Sequence, residues 1–166
     1  MRYVLLKHEK NSDFHVDFLL DCGGERLLSW QICEENFANS LVSGVKFFNL
    51  AESPKQITDT IHSVCRRNFD HRKIYLNCEG EIGENRGRVI CVECGEWDFF
   101  SFDQKQIVLQ TNGGHTTTDS PIRRQWQFLL PFGVTIEIQD IAPANLMQRL
   151  PPPGDTDWYL RCRLLC

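Results

Sequence analysis

No stretch of this sequence approaches the roughly 18 to 20 consecutive apolar residues that a membrane-spanning helix needs. The N-terminal Met1-Arg2-Tyr3-Val4-Leu5-Leu6-Lys7-His8 is too short an apolar run for an export signal. Together these absences predict a cytoplasmic protein with no membrane contact. An excess of positive charge is missing too: 18 Lys and Arg face 22 Asp and Glu, for a net charge of −4. That balance excludes a protein that coats nucleic acid through its overall field and confines any such contact to a local patch. There is no Gly-rich phosphate loop with lysine, no Gly-x-Ser-x-Gly elbow and no paired dinucleotide fingerprint, so P-loop, α/β-hydrolase and nicotinamide chemistry have no support. Internal repeats and low-complexity blocks are also absent.

What is present describes one globular domain spanning residues 1–166. An apolar fraction of 42% with eleven Phe and four Trp is enough to build a core without staples. The eight cysteines are therefore read as reduced rather than as a disulfide framework. Period-2 patterning dominates. Phe14, Val16, Phe18 and Leu20 fall on one face of an extended segment 13–20. Further strands are expected over 2–7, 26–32, 73–78, 88–94, 98–102, 106–111 and 124–130, with turns at Cys22-Gly23-Gly24 and Asn112-Gly113-Gly114. Such a pattern predicts a mainly β fold, a compact antiparallel barrel of seven or eight strands with one or two short helices. One helix is expected from Ser53-Pro54 through Ile57, Ile61 and Val64, ending before Asn68. Glu34 to Leu50 reads as irregular, 111–120 as a loop, and Trp158-Tyr159-Leu160-Arg161 as an edge strand or docking segment.

Chemistry concentrates on the first two strands. His15 and Asp17, two apart, project from the face opposite Phe14, Val16 and Phe18, and a short reversal over Glu9 to Asp13 brings His8 beside them. Two imidazoles and a carboxylate suit Mn²⁺, Fe²⁺ or Zn²⁺ with open positions left for substrate; the bland alternative is a polar strand face. Asp70-His71-Arg72-Lys73-Ile74-Tyr75 clusters an imidazole, two cations and a phenol where a phosphate could sit, and Arg86 and Arg88 add two more cations in a turn. Both are equally ordinary as solvated segments.

The succession Lys7-His8, Phe14-His15-Val16-Asp17-Phe18, Ser29-Trp30, Asp70-His71 with Tyr75, and Glu79-Gly80 leading to Gly87-Arg88-Val89 resembles the 3′-phosphoesterase domain of bacterial DNA ligase D. The resemblance covers about residues 2–130 and leaves 131–166 as a divergent C-terminal extension. It implies a compact antiparallel barrel in which His8, His15 and Asp17 bind Mn²⁺ or another divalent transition metal, His71 contacts the scissile phosphate and Tyr75 supports it. The implied activity is a hydrolase that removes a terminal ribonucleoside or a 3′-phosphate from nucleic-acid 3′ ends in DNA repair. It would act as a monomer and meet repair proteins in trans.

Departures fall on the same site. Leu19 replaces the family's phosphate-holding arginine, while Leu6 and Phe69 stand at polar and acidic positions. The interval from His8 to His15 is one residue longer than usual, which threatens to displace His8. Arg72, Lys73, Arg86 and Arg88 are the candidate replacement phosphate ligands. A competing reading is an inactive barrel that binds nucleic-acid ends or another anionic partner. A third places zinc on Cys91, Cys94, Cys162 and Cys166; against it, residues three apart on a strand face opposite ways unless a bulge intervenes.

Overall fold

The computed structural model describes residues 1–32, 60–115, 121–136 and 142–165. Its strands are β1 (Arg2–Lys10), β2 (Asp13–Asp21), β3 (Arg26–Ile32), β4 (Thr60–Arg67), β5 (His71–Arg72), β6 (Gly80–Ile82), β7 (Gly87–Asp103), β8 (Gln106–His115), β9 (Pro121–Leu129) and β10 (Asp157–Leu165). They pair antiparallel in the order β1-β2-β3-β4-β10-β9-β8-β7, and β1 pairs with β7 to close an eight-stranded barrel. β6 extends the sheet beyond β7, and β5 pairs with β3 off the main path. One α-helix, α1 (Pro143–Arg149), and one 3₁₀ turn, Lys73–Asn77, complete the described residues. None of the described helices is long and apolar enough to cross a membrane.

Alternation divides the apolar residues into two sets. All eight barrel strands send side chains to one interior cluster, which includes Tyr3, Phe18, Trp30, Trp97, Trp126, Phe128 and Trp158, and Leu146 of α1 joins it. Ring contacts such as Phe18–Trp126 at 4.8 Å and Trp30–Phe128 at 4.7 Å fill the lumen. A second cluster, Val4, Leu6, Leu19, Leu27 and Leu76, lies on the outer face of β1, β2 and β3. Leu76 belongs to the 3₁₀ turn, so this outer cluster fastens that turn to the barrel wall. A fully buried leucine contributes about 1.5–3 kcal/mol, which makes Leu6 and Leu19 structural anchors.

Several sequence expectations need correction. Residues 60–67 form β4, not helix; Ile61 and Val64 match a helical spacing, but pairing with β3 and β10 decides the conformation, as it often does for short apolar runs. The expected helix start at Ser53-Pro54 and Ile57, and the irregular stretch Glu34 to Leu50, lie outside the described residues. Residues 73–77 form a 3₁₀ turn instead of a strand, because Leu76 docks into the outer cluster. The separate strands expected at 88–94 and 98–102 are one strand, β7. Asn112-Gly113-Gly114 is not a turn but part of β8, where a Cβ on Gly113 would collide with the Tyr3 hydroxyl; glycine makes room there for an interior side chain. Of the loop expected at 111–120, residues 116–120 lie outside the description. β10 is no edge strand, having β4 on one side and β9 on the other.

Candidate metal centre on the outer barrel wall

A two-residue reversal at Asn11-Ser12 joins β1 to β2, with Asn11 in the left-handed region at φ 57°. Asparagine tolerates that region well, and a two-residue loop fixes hairpin register. The register sets His8 directly across from His15 and Leu6 across from Asp17. His8, His15 and Asp17 therefore share the outer face, and their ligand atoms lie within 4.8 Å of one another. The hairpin folds the six residues between the two histidines back on themselves, so His8 and His15 stand side by side.

Each member of the trio has a distinct local setting. The imidazoles meet edge to face with centroids 4.9 Å apart. His8 Nε2 lies 2.7 Å from the carbonyl oxygen of Arg86. A carbonyl can only accept, so Nε2 carries the proton and Nδ1 of the neutral ring keeps a free lone pair, a common way to orient a ligating histidine. His15 Nε2 is 3.4 Å from Asp17 Oδ2. Asp17 is only 6% exposed, yet its Oδ1 has no hydrogen-bond partner among the described residues. A buried carboxylate oxygen without a donor is costly, and a divalent cation would offset that cost. The donor set is N, N and O, and a small side-chain adjustment would bring the three atoms around an ion with bonds of about 2.0–2.2 Å. Ser29 Oγ, on the same outer face opposite Leu19, is a second buried oxygen without a partner among the described residues.

The second group of candidates lies further along the same wall, where Leu27, the partner of His71, stands opposite Asp21 of β2. His71 pairs with Leu27 at the start of β3. Its Nδ1 donates to the Phe69 carbonyl at 2.9 Å, its Nε2 has no partner among the described residues, and its ring meets Tyr75 edge to face at 5.2 Å. Tyr75 packs against the outer cluster that holds Leu6 and Leu19. Leu6 faces Asp17 across the β1–β2 ladder, and Leu19 follows Asp17 on the same face of β2. Both groups of candidates thus open on one outer wall.

The four cations fare differently. Arg72 is exposed and has no partner among the described residues. Lys73 is engaged by Asp21 at 3.2 Å. Arg86 turns its Nε to the Gly83 carbonyl at 3.0 Å, and its own carbonyl serves His8. Arg88 stands opposite Glu9 and Glu81, while its neighbour Val89 is the register partner of His8. Alternation therefore aims Arg88 away from the His8 face.

No protein-family model and no curated protein matches this chain.

The four-sulfur zinc arrangement does not form. A register shift between Leu5 and Leu6 marks a bulge in β7, where Val92 and Glu93 both turn inward. Cys91 and Cys94 consequently share the outer face and hydrogen-bond to each other. Cys162 points into the interior cluster on the other side of the wall, and Cys166 lies outside the described residues. Burial pushes the thiols of Cys91 and Cys162 up to about 12, the range of inert structural cysteines.

Two features escaped the sequence reading. One is an interior network in which the Tyr3 hydroxyl donates to Glu93 Oε1 at 2.5 Å and Arg124 Nε donates to Glu93 Oε2 at 2.9 Å. The other is Arg67, 3% exposed, whose Nη2 donates to Asp70 Oδ1 at 2.5 Å. Strand alternation through Ser63, Cys65 and Arg67 was the available signal for the second.

Proposed function

We propose that this barrel is a divalent-metal-dependent phosphoesterase that trims nucleic-acid 3′ ends, removing a 3′-phosphate or a single 3′-ribonucleotide. The observation that carries the reading is the His8, His15 and Asp17 trio with its unpartnered, buried Asp17 Oδ1. The resemblance to the 3′-phosphoesterase domain of ligase D agrees with it and gives Mn²⁺ as the first metal to test. A bound divalent ion would polarise a phosphoryl oxygen and neutralise developing charge.

The chain's own residues supply the remaining roles. His8, oriented by the Arg86 carbonyl, and His15, beside Asp17, hold the donor set in place. His71, with Nδ1 occupied by Phe69, presents Nε2 to a phosphate or to its leaving oxygen. Tyr75 positions that imidazole through the ring contact and is anchored by the outer leucines. Arg72 is exposed and without a partner among the described residues, but it pairs with Arg26 while His71 pairs with Leu27 of the outer cluster, so it would have to reach round the edge of β5 to meet a phosphate at His71.

A specific observation favours a second reading, an end-binding barrel with little or no turnover. Leu6 and Leu19 are buried under the 3₁₀ turn, so no arginine clamp can occupy the place it holds in the resembling family. Lys73 is held by Asp21. Loss of one charged ligand to a phosphoryl group costs about 10²-fold to 10³-fold in rate.

The test is an end-processing assay with Mn²⁺ on a primer–template ending in 3′-phosphate or a single 3′-ribonucleotide. The catalytic reading expects conversion to a 3′-hydroxyl, reduced at least about 10²-fold in His15→Ala and in Asp17→Ala. DNA-end binding without conversion would replace it with the binding reading, and conversion that both variants retain would sink the assignment of the trio.

A further inference from the structure

The segment between β4 and β5 holds an aromatic side chain out in solvent. Phe69 is 78% exposed, and Ile74 in the following 3₁₀ turn is 67% exposed. An isolated exposed apolar residue needs no explanation, but here the backbone on both sides of Phe69 is fastened. Arg67 lies over the Trp30 ring at 5.6 Å and donates Nη1 to the carbonyls of Asn68 at 2.5 Å and Ser29 at 3.4 Å. Its Nη2 holds Asp70. The Asn68 amide donates to the Ser29 carbonyl at 2.9 Å, and the Phe69 amide donates to Asn68 Oδ1 at 2.8 Å. Beyond Phe69, the His71 imidazole takes the Phe69 carbonyl, and Arg26 Nη1 donates to the Asp70 carbonyl at 2.9 Å. These bonds fix the backbone on both sides of Phe69 and so set the direction in which its Cβ leaves the chain. Phe69 is preorganised in its outward position.

Its surroundings say what it is held for. Arg72 pairs with Arg26 across the short β3–β5 ladder, and both are exposed. His71, two residues from Phe69, has no partner for Nε2 among the described residues. The Arg26 guanidinium is bonded to the carbonyl of the residue after Phe69 and Arg72 follows three residues on; an exposed aromatic ring with cations nearby is the combination that binds single-stranded nucleic acid, the ring stacking on a base while the cations follow the phosphates.

We propose that Phe69 is a stacking platform for the terminal base of a single-stranded nucleic-acid 3′ end, with Arg72 and Arg26 holding the phosphates beside it. The inference deepens the end-processing reading and rests on it for the reacting phosphate at His71. Base capture itself can be measured apart from turnover.

The experiment is a fluorescence titration of the full chain, without added metal, against a single-stranded oligodeoxynucleotide carrying 2-aminopurine at its 3′ terminus. Wild type is expected to bind and to quench the terminal base. Phe69→Ala should bind about tenfold more weakly and lose the quench, and Phe69→Trp should retain both. Arg72→Ala should weaken binding, keep the quench and lower the salt slope by about one. Failure of wild type to bind, or binding by Phe69→Ala with unchanged affinity and quench, overturns the proposal. Because no metal is present, failed end processing leaves a positive result here standing, and the two readings fail separately.

Discussion

Two carboxylates on opposite sides of the same barrel wall show how similar chemistry serves different ends. Glu93 is 0% exposed and has both oxygens engaged, one by the Tyr3 hydroxyl and one by the Arg124 guanidinium. Asp17 is nearly as buried, but one oxygen has only the 3.4 Å contact with His15 and the other has no partner among the described residues. A buried ion whose hydrogen bonds are filled specifies a packed interior; a carboxylate oxygen left open beside two imidazoles is where a cation could be held. The Glu93 network is therefore structural, and the Asp17 trio is the functional candidate.

The sharpest way to break this contrast is to remove each carboxylate. Glu93→Ala strands the Arg124 guanidinium inside the barrel and should cost about 3–5 kcal/mol in urea unfolding. Asp17→Asn removes an unsatisfied charge and should leave stability unchanged or slightly raised while abolishing metal-dependent activity. Equal losses of stability in the two variants would erase the distinction. A smaller effect is expected of Tyr3→Phe, which leaves Glu93 Oε1 without its donor and should cost about 1–3 kcal/mol at neutral pH.

That variant also carries a pH signature. Burial, reinforced by Glu93, raises the Tyr3 hydroxyl far above its ordinary value of 10.0. The folded protein then binds a proton that the unfolded chain releases, so the contribution of Tyr3 is complete below about pH 10 and is lost as the pH rises beyond it. Tyr3→Phe should flatten the alkaline fall in stability, and a fall of the same steepness in both proteins would count against the buried hydroxyl.

Strand patterning was the most legible part of the sequence. The alternation of Phe14, Val16, Phe18 and Leu20 identifies the interior face of β2, and with it the opposite face that carries His15 and Asp17. The placement of His8 also followed from the hairpin, although its register depended on the Asn11-Ser12 turn. Less legible were features decided by distant neighbours. Ile61 and Val64 suit a helix until β10 is seen beside them, and β10 itself is separated from β4 by most of the chain. The bulge that puts Cys91 and Cys94 on one face is visible only against β1. Leu6 and Leu19 look in sequence like lost polar ligands; packing reveals them as the base on which Tyr75 and the 3₁₀ turn rest.

The most direct test of the central claim is calorimetric titration of the folded protein with Mn²⁺, repeated on His15→Ala and Asp17→Asn after their folding is confirmed by circular dichroism. One Mn²⁺ per chain in the wild type, with affinity at least about 10–100-fold weaker in each variant, is the predicted result. Absence of binding in the wild type, or binding that both variants retain undiminished, would contradict the assignment of His8, His15 and Asp17 as a metal centre.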